Sequence, residues 1–327
     1  VNNLDELLLL AEIASLYYEE NLTQEEIARR LGISRSGVSR LLARSRELGL
    51  VDIVVHHPLK TAHELQQELI ARYNLHDALV LLNPHPQEYV LDKLGALAAR
   101  YVDRQLRDDM TLGISWGTSM LQVVSSLRPT RRLRLNVVQL MGSISATSPD
   151  VDGPEIARRF ATLYGAQCYY LHAPLLVASP AVRDALLSER SMQETIRMMS
   201  QMNMALVGVG ATSAGGSGLV RAGYLNEQEL AAVRALGAVG DVSGYFLDQA
   251  GNICPLELHD RLVAVPLELL RRTPEVIAVA AGLVKAAPML AAVRSGLVHT
   301  VITDETCAKE MLALDTRVET APKGLRS

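Results

Sequence analysis

The sequence of 327 residues predicts an α/β protein in two parts: an N-terminal winged helix-turn-helix unit and a doubly wound, mostly parallel α/β domain. Three observations predict it. Residues 23–46 carry the caps, the turn glycine and the outward arginines of two short helices crossing at a tight turn. From residue 77 onward, apolar runs of strand length alternate with helical segments. Hydrophobic residues make up 49% of the chain but aromatics only 4%, which throws the packing onto Leu, Val, Ala and Ile, as in a parallel sheet covered on both faces.

Along the chain, Leu4, Leu7, Leu8, Ala11 and Ala14 recur at steps of three and four and predict a first helix that covers the helix-turn-helix pair. Thr23 with Glu26 forms a capping box, so a second helix starts at Gln24, turns Ile27, Ala28 and Leu31 inward, and ends at Gly32. Ser34 caps a third helix. Its apolar positions Val38, Leu41 and Leu42 pack inward, leaving Arg35, Ser36, Ser39 and Arg40 outward on the first two turns. At the front of a recognition helix, such side chains reach base edges in a major groove, where arginine pairs bidentately with guanine. Thr23, Gln24 and Arg44 complete the expected DNA-facing set. Six arginines and no carboxylate lie within residues 27–46 of a chain whose formal net charge is -4, a basic face on an acidic protein that leaves the remaining surface repelled by DNA. Gly49 closes the helix, residues 50–55 read as the strand of a wing, and His56 and His57 read as its solvated end.

Residues 61–73 predict an amphipathic linker helix, and residues 77–82 the first buried strand. Further strands are expected at 110–114, 133–140, 168–172, 205–209, 276–281 and 298–302, with helices at 92–106, 119–127, 156–164, 181–188 and 191–202 between them. The expected domains are therefore 1–57 for DNA reading, 58–76 for the linker helix, 77–313 for effector binding and oligomerisation, and 314–327 for a frayed tail containing Pro322 and Gly324. Cys168, Cys254 and Cys307 are widely spaced, without a Cys-x-x-Cys pair, which argues against a disulfide framework or zinc site; no metal or other cofactor is expected. No apolar run reaches the roughly 20 residues that span a bilayer, and the leading segment carries Asp5, Glu6 and Glu12, so a cytoplasmic protein is expected.

Ligands of doubly wound sheets bind outside the carboxyl ends of the strands. That rule selects Ser115, Trp116, Gly117, Thr118 and Ser119, a glycine- and hydroxyl-bearing loop that opens a helix in the form of an anion cradle. Trp116, the single tryptophan, either stacks on a sugar face or plugs the core. Gln139, Gly142 and Ser143 follow another strand, with His172-Ala173-Pro174 and Gly208-Val209-Gly210 after two more. Residues 237–248 place carboxylates among glycines, and Lys285 follows a buried strand. Asp241 accepting from hydroxyls and Lys285 pairing with an acidic group suit a polyhydroxylated anion; the bland alternative is a structural ion pair or solvated loop residues.

The ordered set Leu22-Thr23-Gln24-Glu25-Glu26-Ile27-Ala28, Val38-Ser39-Arg40-Leu41-Leu42, then residues 113–119, 237–248, 282–285 and 301–304 resembles the SorC/DeoR-type bacterial sugar-responsive transcriptional regulators over nearly the whole chain. The resemblance implies an effector domain similar to ribose-5-phosphate isomerase and glucosamine-6-phosphate deaminase without their catalysis, a tetramer, and a phosphorylated sugar or polyol as effector. By position, Gly117, Thr118 and Ser119 hold the anionic end beside Gln139, Gly142 and Ser143, while Asp241 and Lys285 clamp the rest and Phe246 joins the pocket. Ser115 stands where many relatives have a second glycine, and the loop 211–218 reads as a lid. The resulting expectation is a regulator of a carbohydrate-utilisation operon, a repressor relieved by its effector. The competing reading is a sugar-phosphate isomerase or deaminase with an accessory DNA-binding domain; against it, Asp241 has no Glu-His set nearby to tune it as a base.

Overall fold

The computed structural model describes residues 3–51, 59–83, 90–144, 149–213 and 215–320. Two compact units divide the chain, Val1–His57 and Pro58–Ser327.

In the first unit, α1 (Asn3–Tyr18), α2 (Gln24–Leu31) and α3 (Arg35–Glu47) close around Ile13, Leu16, Ile27, Ala28, Val38 and Leu42. The inward stripe of α1 differs from the expected one. Leu10, Ile13, Ala14 and Leu16 are buried, whereas Leu4 and Leu8 are about 60% exposed and Ala11 faces solvent. A run of four consecutive leucines, Leu7 to Leu10, offers two helical stripes, and only the packing partners decide between them. The expected wing strand and both histidines fall largely or wholly on residues 52–58, outside the described residues.

The second unit is built on β1 (Asp77–Leu81), β2 (Thr111–Ile114), β3 (Asn136–Gln139), β4 (Gln167–Tyr169), β5 (Met204–Ala211), β6 (Ala238–Val242), β7 (Tyr245–Asp248), β8 (Glu275–Val279) and β9 (Thr300–Asp304). Seven of these strands form a parallel sheet in the order β1-β9-β8-β5-β2-β3-β4. The last residues of β5 instead pair antiparallel with β6, which pairs antiparallel with β7. This hairpin occupies residues 237–248, the segment that places carboxylates among glycines and in which no strand is expected from sequence. Its turn residues Ser243 and Gly244 both have positive φ, 52° and 84°, the geometry of a two-residue turn that matches strand twist.

Helices cover both faces. α5 (Val90–Gln105), α6 (Thr118–Ser126) and α7 (Gly153–Tyr164) pack on one through Leu94, Met120, Val123, Ile156 and Phe160. The other face is covered by α8 (Pro180–Ser188), α9 (Arg190–Met199), the short α10 (Gly218–Arg221), α11 (Glu227–Ala235), α13 (Ala286–Arg294) and α14 (Glu305–Thr320), with α12 (Leu267–Arg272) beside them. Adjacent strands β2 and β5 thus send their following helices, α6 and α10, to opposite faces. A crevice opens at such a switch point.

Two expectations about the ends of this unit are corrected. The connector α4 (His63–Tyr73) is seated on the sheet domain: Leu69 is fully buried, Ala62 N–H donates to Val80 O at 2.8 Å, and Arg72 pairs with Asp315 at 2.6 Å. The frayed tail expected from Leu314 is helical to Thr320, because Leu314 packs on the core and Asp315 receives both Arg72 and Arg294. Pro322 and Gly324 lie outside the described residues.

Candidate functional site

In the first unit, Thr23 Oγ1 accepts Glu26 N–H at 3.3 Å while Glu26 Oε2 accepts Thr23 N–H at 2.8 Å, so both orphan donors at the start of α2 are satisfied. Those bonds to Thr23 hold the Glu26 carboxyl below the usual carboxylate range. Gly32 takes the left-handed conformation, φ 66°, that ends α2, and Ser34 Oγ then accepts Gly37 N–H at 3.0 Å to start α3. Arg35, Ser36, Ser39 and Arg40 are all exposed on α3, opposite buried Val38 and Leu42. Among the described residues, Arg35 and Arg40 meet no carboxylate, whereas Arg30 approaches Glu20 at 3.9 Å and Arg44 bonds Glu6 at 3.1 Å. Arg44 is therefore engaged with α1, unlike Arg35 and Arg40. Thr23, Gln24 and Arg35 border one surface depression with Tyr17 and Tyr18.

In the second unit, a cavity of about 70 Å³ lies at the β2/β5 crevice. Ser115, Trp116, Gly117, Thr118 and Ser119 form one wall, Gly208, Val209 and Gly210 another, and Asp241 and Ser243 of the hairpin a third. Gly117, with φ 112°, precedes α6 without any side-chain cap, which leaves the first amide groups of that helix open to a ligand. Ser115 Oγ accepts Gly208 N–H at 3.1 Å and so ties β2 to β5. Trp116 packs against the core and against Gly218, where an added Cβ would lie 2.7 Å from its ring. The tryptophan thus plugs one side of the cavity and is clamped by α10.

Asp241 lies on β6 opposite Gly210, where an added Cβ would sit 1.8 Å from its carboxylate. Burial pushes its carboxyl above the usual range, against the opposing effects of Gly244 N–H at 3.1 Å and of Lys285. Lys285 does not line the cavity directly. Its ammonium donates to Val209 O at 2.9 Å, and burial lowers its pKa despite attraction from Asp241. Arg221, which was not anticipated from sequence, lines the cavity from α10 and donates to Gly215 O at 3.0 Å. Ser243 was also missed. Its hydroxyl, in a residue only 3% exposed, has no hydrogen-bond partner among the described residues and borders the cavity.

Besides Lys285, four expected site residues fall elsewhere. Gln139 is fully buried, donating to Met141 O at 2.5 Å and accepting Leu171 N–H at 3.2 Å, a backbone brace. Gly142 is needed because an added Cβ would lie 2.6 Å from Pro174 O. Ser143 donates to Asp152, the cap of α7, and joins Gln139 at a separate depression with Pro154, Tyr170 and His172. Phe246 is 1% exposed in the core, its N–H donating to His259 Nε2 at 3.1 Å. The signals that could have found Arg221 and Ser243 were the Ser217 cap before Gly218 and the Ser-Gly turn between two short alternating runs.

An α-helical unit bearing a capped arginine helix, followed by a switch-point cavity lined by an arginine and a carboxylate, has the form of a ligand-sensing DNA-binding regulator. Residues 57–313 match the family described as putative sugar-binding domain, and residues 8–58 match the MarR family. The deoxyribonucleoside regulator of Bacillus subtilis is 35% identical over 264 residues, covering 80% of this chain and 84% of that protein. Transcriptional regulator LsrR of an Enterobacter species is 32% identical over 313 residues, covering 94% and 93%. The crystal structure of the full-length sorbitol operon regulator SorC of Klebsiella pneumoniae superposes with a TM-score of 0.71 at 26% identity, covering 94% of this chain and 99% of that one. The chain belongs to the SorC/DeoR-type family of sugar-binding transcriptional regulators. The relatives are regulators and not enzymes, and no helix among the described residues is long and apolar enough to cross a membrane.

Proposed function

We propose that this regulator represses a carbohydrate-utilisation operon and is released from its operator by a phosphorylated sugar or polyol bound at the β2/β5 crevice. One observation carries the reading: the open amino end of α6, the Arg221 guanidinium and the Asp241 carboxylate converge on a single cavity. The helix end and Arg221 suit a phosphate, and Asp241 with the unpartnered Ser243 hydroxyl suits the alcohols of a carbohydrate. The relatives named for deoxyribonucleosides and for a sorbitol operon support a ligand of that chemistry.

The cavity of about 70 Å³ holds roughly two waters' share of liquid volume and is smaller than the ~300–1,000 Å³ usual for small-molecule sites. α10, whose Gly218 packs against Trp116, is the element whose displacement would enlarge this cavity for a carbohydrate ligand. Arg35, Ser36, Ser39 and Arg40 read the operator half-site, and a symmetric oligomer, a tetramer by family resemblance, pairs the half-sites. The effector acts by binding one arrangement of paired readers better than another.

A melting-temperature screen against phosphorylated sugars and polyols, followed by operator-release measurements with the hits, tests this. At ligand concentrations about 100-fold above Kd, stabilisation of about 2.7 kcal/mol is expected. The expected hit also releases operator DNA. Stabilisation by none of these compounds, or by one that leaves operator binding unchanged, would remove the effector assignment.

A further inference from the structure

The second unit carries a strongly basic surface that ligand sensing does not use. Residues 100–134 contain seven arginines against three aspartates, a net +4 within a chain of net -4. The structure gathers them at the end of the sheet opposite the cavity, where α5, α6 and α7 finish. Part of the cluster serves those helix ends, whose last carbonyls carry partial negative charge. Arg107 donates to Arg104 O at 2.6 Å, Arg128 to Ser125 O at 2.7 Å and Arg131 to Asp103 O at 2.6 Å. Arg134 pairs with Asp109 at 3.0 Å. Asp103 in turn accepts the hydroxyl of Tyr164, the last residue of α7, at 2.7 Å, so the three helix ends and the arginine loop are one contiguous surface.

Helix capping does not account for the remainder. Arg100 and Arg104, one turn apart on α5, and Arg132, beside the α7 cap Gly165, are exposed. Among the described residues their guanidinium groups donate no hydrogen bond and meet no carboxylate. Seven arginines against three aspartates leave an excess of positive charge here, which raises the local potential and attracts a polyanion.

We propose that this arginine surface binds the phosphate backbone of duplex DNA outside the operator half-sites. The inference rests on the DNA-binding reading of the first unit: a chain already docked on duplex holds flanking phosphates at high local concentration, and guanidinium pairs with phosphate bidentately. It also revises the expectation that all surface beyond the recognition helix is repelled by DNA.

The test uses the full-length chain and random-sequence duplexes, one of operator length and one longer by about two helical turns at each end, with affinity read by fluorescence anisotropy across salt concentrations. For the Arg100→Ala, Arg104→Ala, Arg132→Ala triple variant, the slope of log affinity against log salt on the long duplex is expected to become shallower by about 2–3, one phosphate contact being worth about 0.9. The short duplex should show no change. The corresponding triple lysine variant should restore the slope. An unchanged long-duplex slope, an equal loss on both duplexes, or failure of the lysine variant to rescue would overturn the proposal. Because none of these slopes needs operator preference, a separate comparison of operator with random short duplex reports failure of the underlying reading independently.

Discussion

At Asp241 stability and the proposed ligand recognition pull in opposite directions. Burial raises its carboxyl pKa, so the folded protein binds that proton more tightly than the unfolded chain does. Stability from this group is present at acid pH and is lost as pH rises from the usual carboxylate range through the raised value. Asp241→Asn keeps an acceptor for Gly244 N–H but never ionises. Its melting temperature should exceed the parent's at pH 7, by about 2–4 °C per kcal/mol recovered, and the gap should close toward pH 4. Calorimetry across pH checks this, and the same variant should lose at least tenfold in effector affinity if the carboxylate holds ligand hydroxyls. Gly210→Ala is expected to do similar damage to binding, because its methyl would occupy the space of the Asp241 carboxylate. None of this was visible from the spacing of residues 237–248, since the placement of Asp241 depends on β6 pairing with β5, two strands distant in sequence.

Elements were legible where their signals are local. The Thr23 and Ser34 caps, the Gly32 stop and the inward Val38 and Leu42 lie within a few residues of what they control, and the structure contains them as read. Thr23→Ala should cost about 1 kcal/mol and speed amide hydrogen exchange in α2 before any other element. In α7, Arg158 and Arg159 hold the Glu155 carboxyl down to about 2. A depressed carboxyl contributes stability above its unfolded value that is lost as pH falls toward 2, so Glu155→Gln should flatten the acid limb of a stability profile between about pH 4.5 and 2. By contrast, the inward stripe of α1 differs from the expected one except at Ala14, and the strands β6 and β7 were not foreseen. A leucine run has no unique helical face, and glycines at 237, 240 and 244 imitate a loop until the partner strand is in place.

For the whole molecule, the two units predict separable defects. Arg40→Ala should weaken operator binding by about 1–3 kcal/mol with the effector-induced melting shift intact, since Arg40 is exposed on α3 and holds no other group among the described residues. Lys285→Ala should reduce effector affinity, by releasing Val209 O and the charge balance of Asp241, while unliganded operator binding persists. Anisotropy with operator and thermal shift with effector, run on both variants, check the pair. A parallel loss in both assays by either variant would signify global damage instead. The seating of α4 on the sheet domain also means that the linker helix expected at residues 61–73 is not a free connector. Motion passed toward the first unit has to leave a helix already fixed by Leu69, Gln66 and Arg72.

The amino-acid order by itself determined the capped helices of the first unit, the alternation of strands and helices, the glycine- and hydroxyl-bearing loop that opens α6, and the family. Each of these is written in short-range periodicity or in contiguous motifs. Tertiary structure alone decided which polar residues share a cavity. It brought Arg221 and Ser243 in, set Gln139, Gly142, Ser143 and Phe246 to bracing the scaffold, and placed Lys285 behind a carbonyl. The reason is that a cavity is enclosed by residues far apart in sequence, and whether a polar side chain faces it or satisfies a buried backbone group depends on which strands become neighbours.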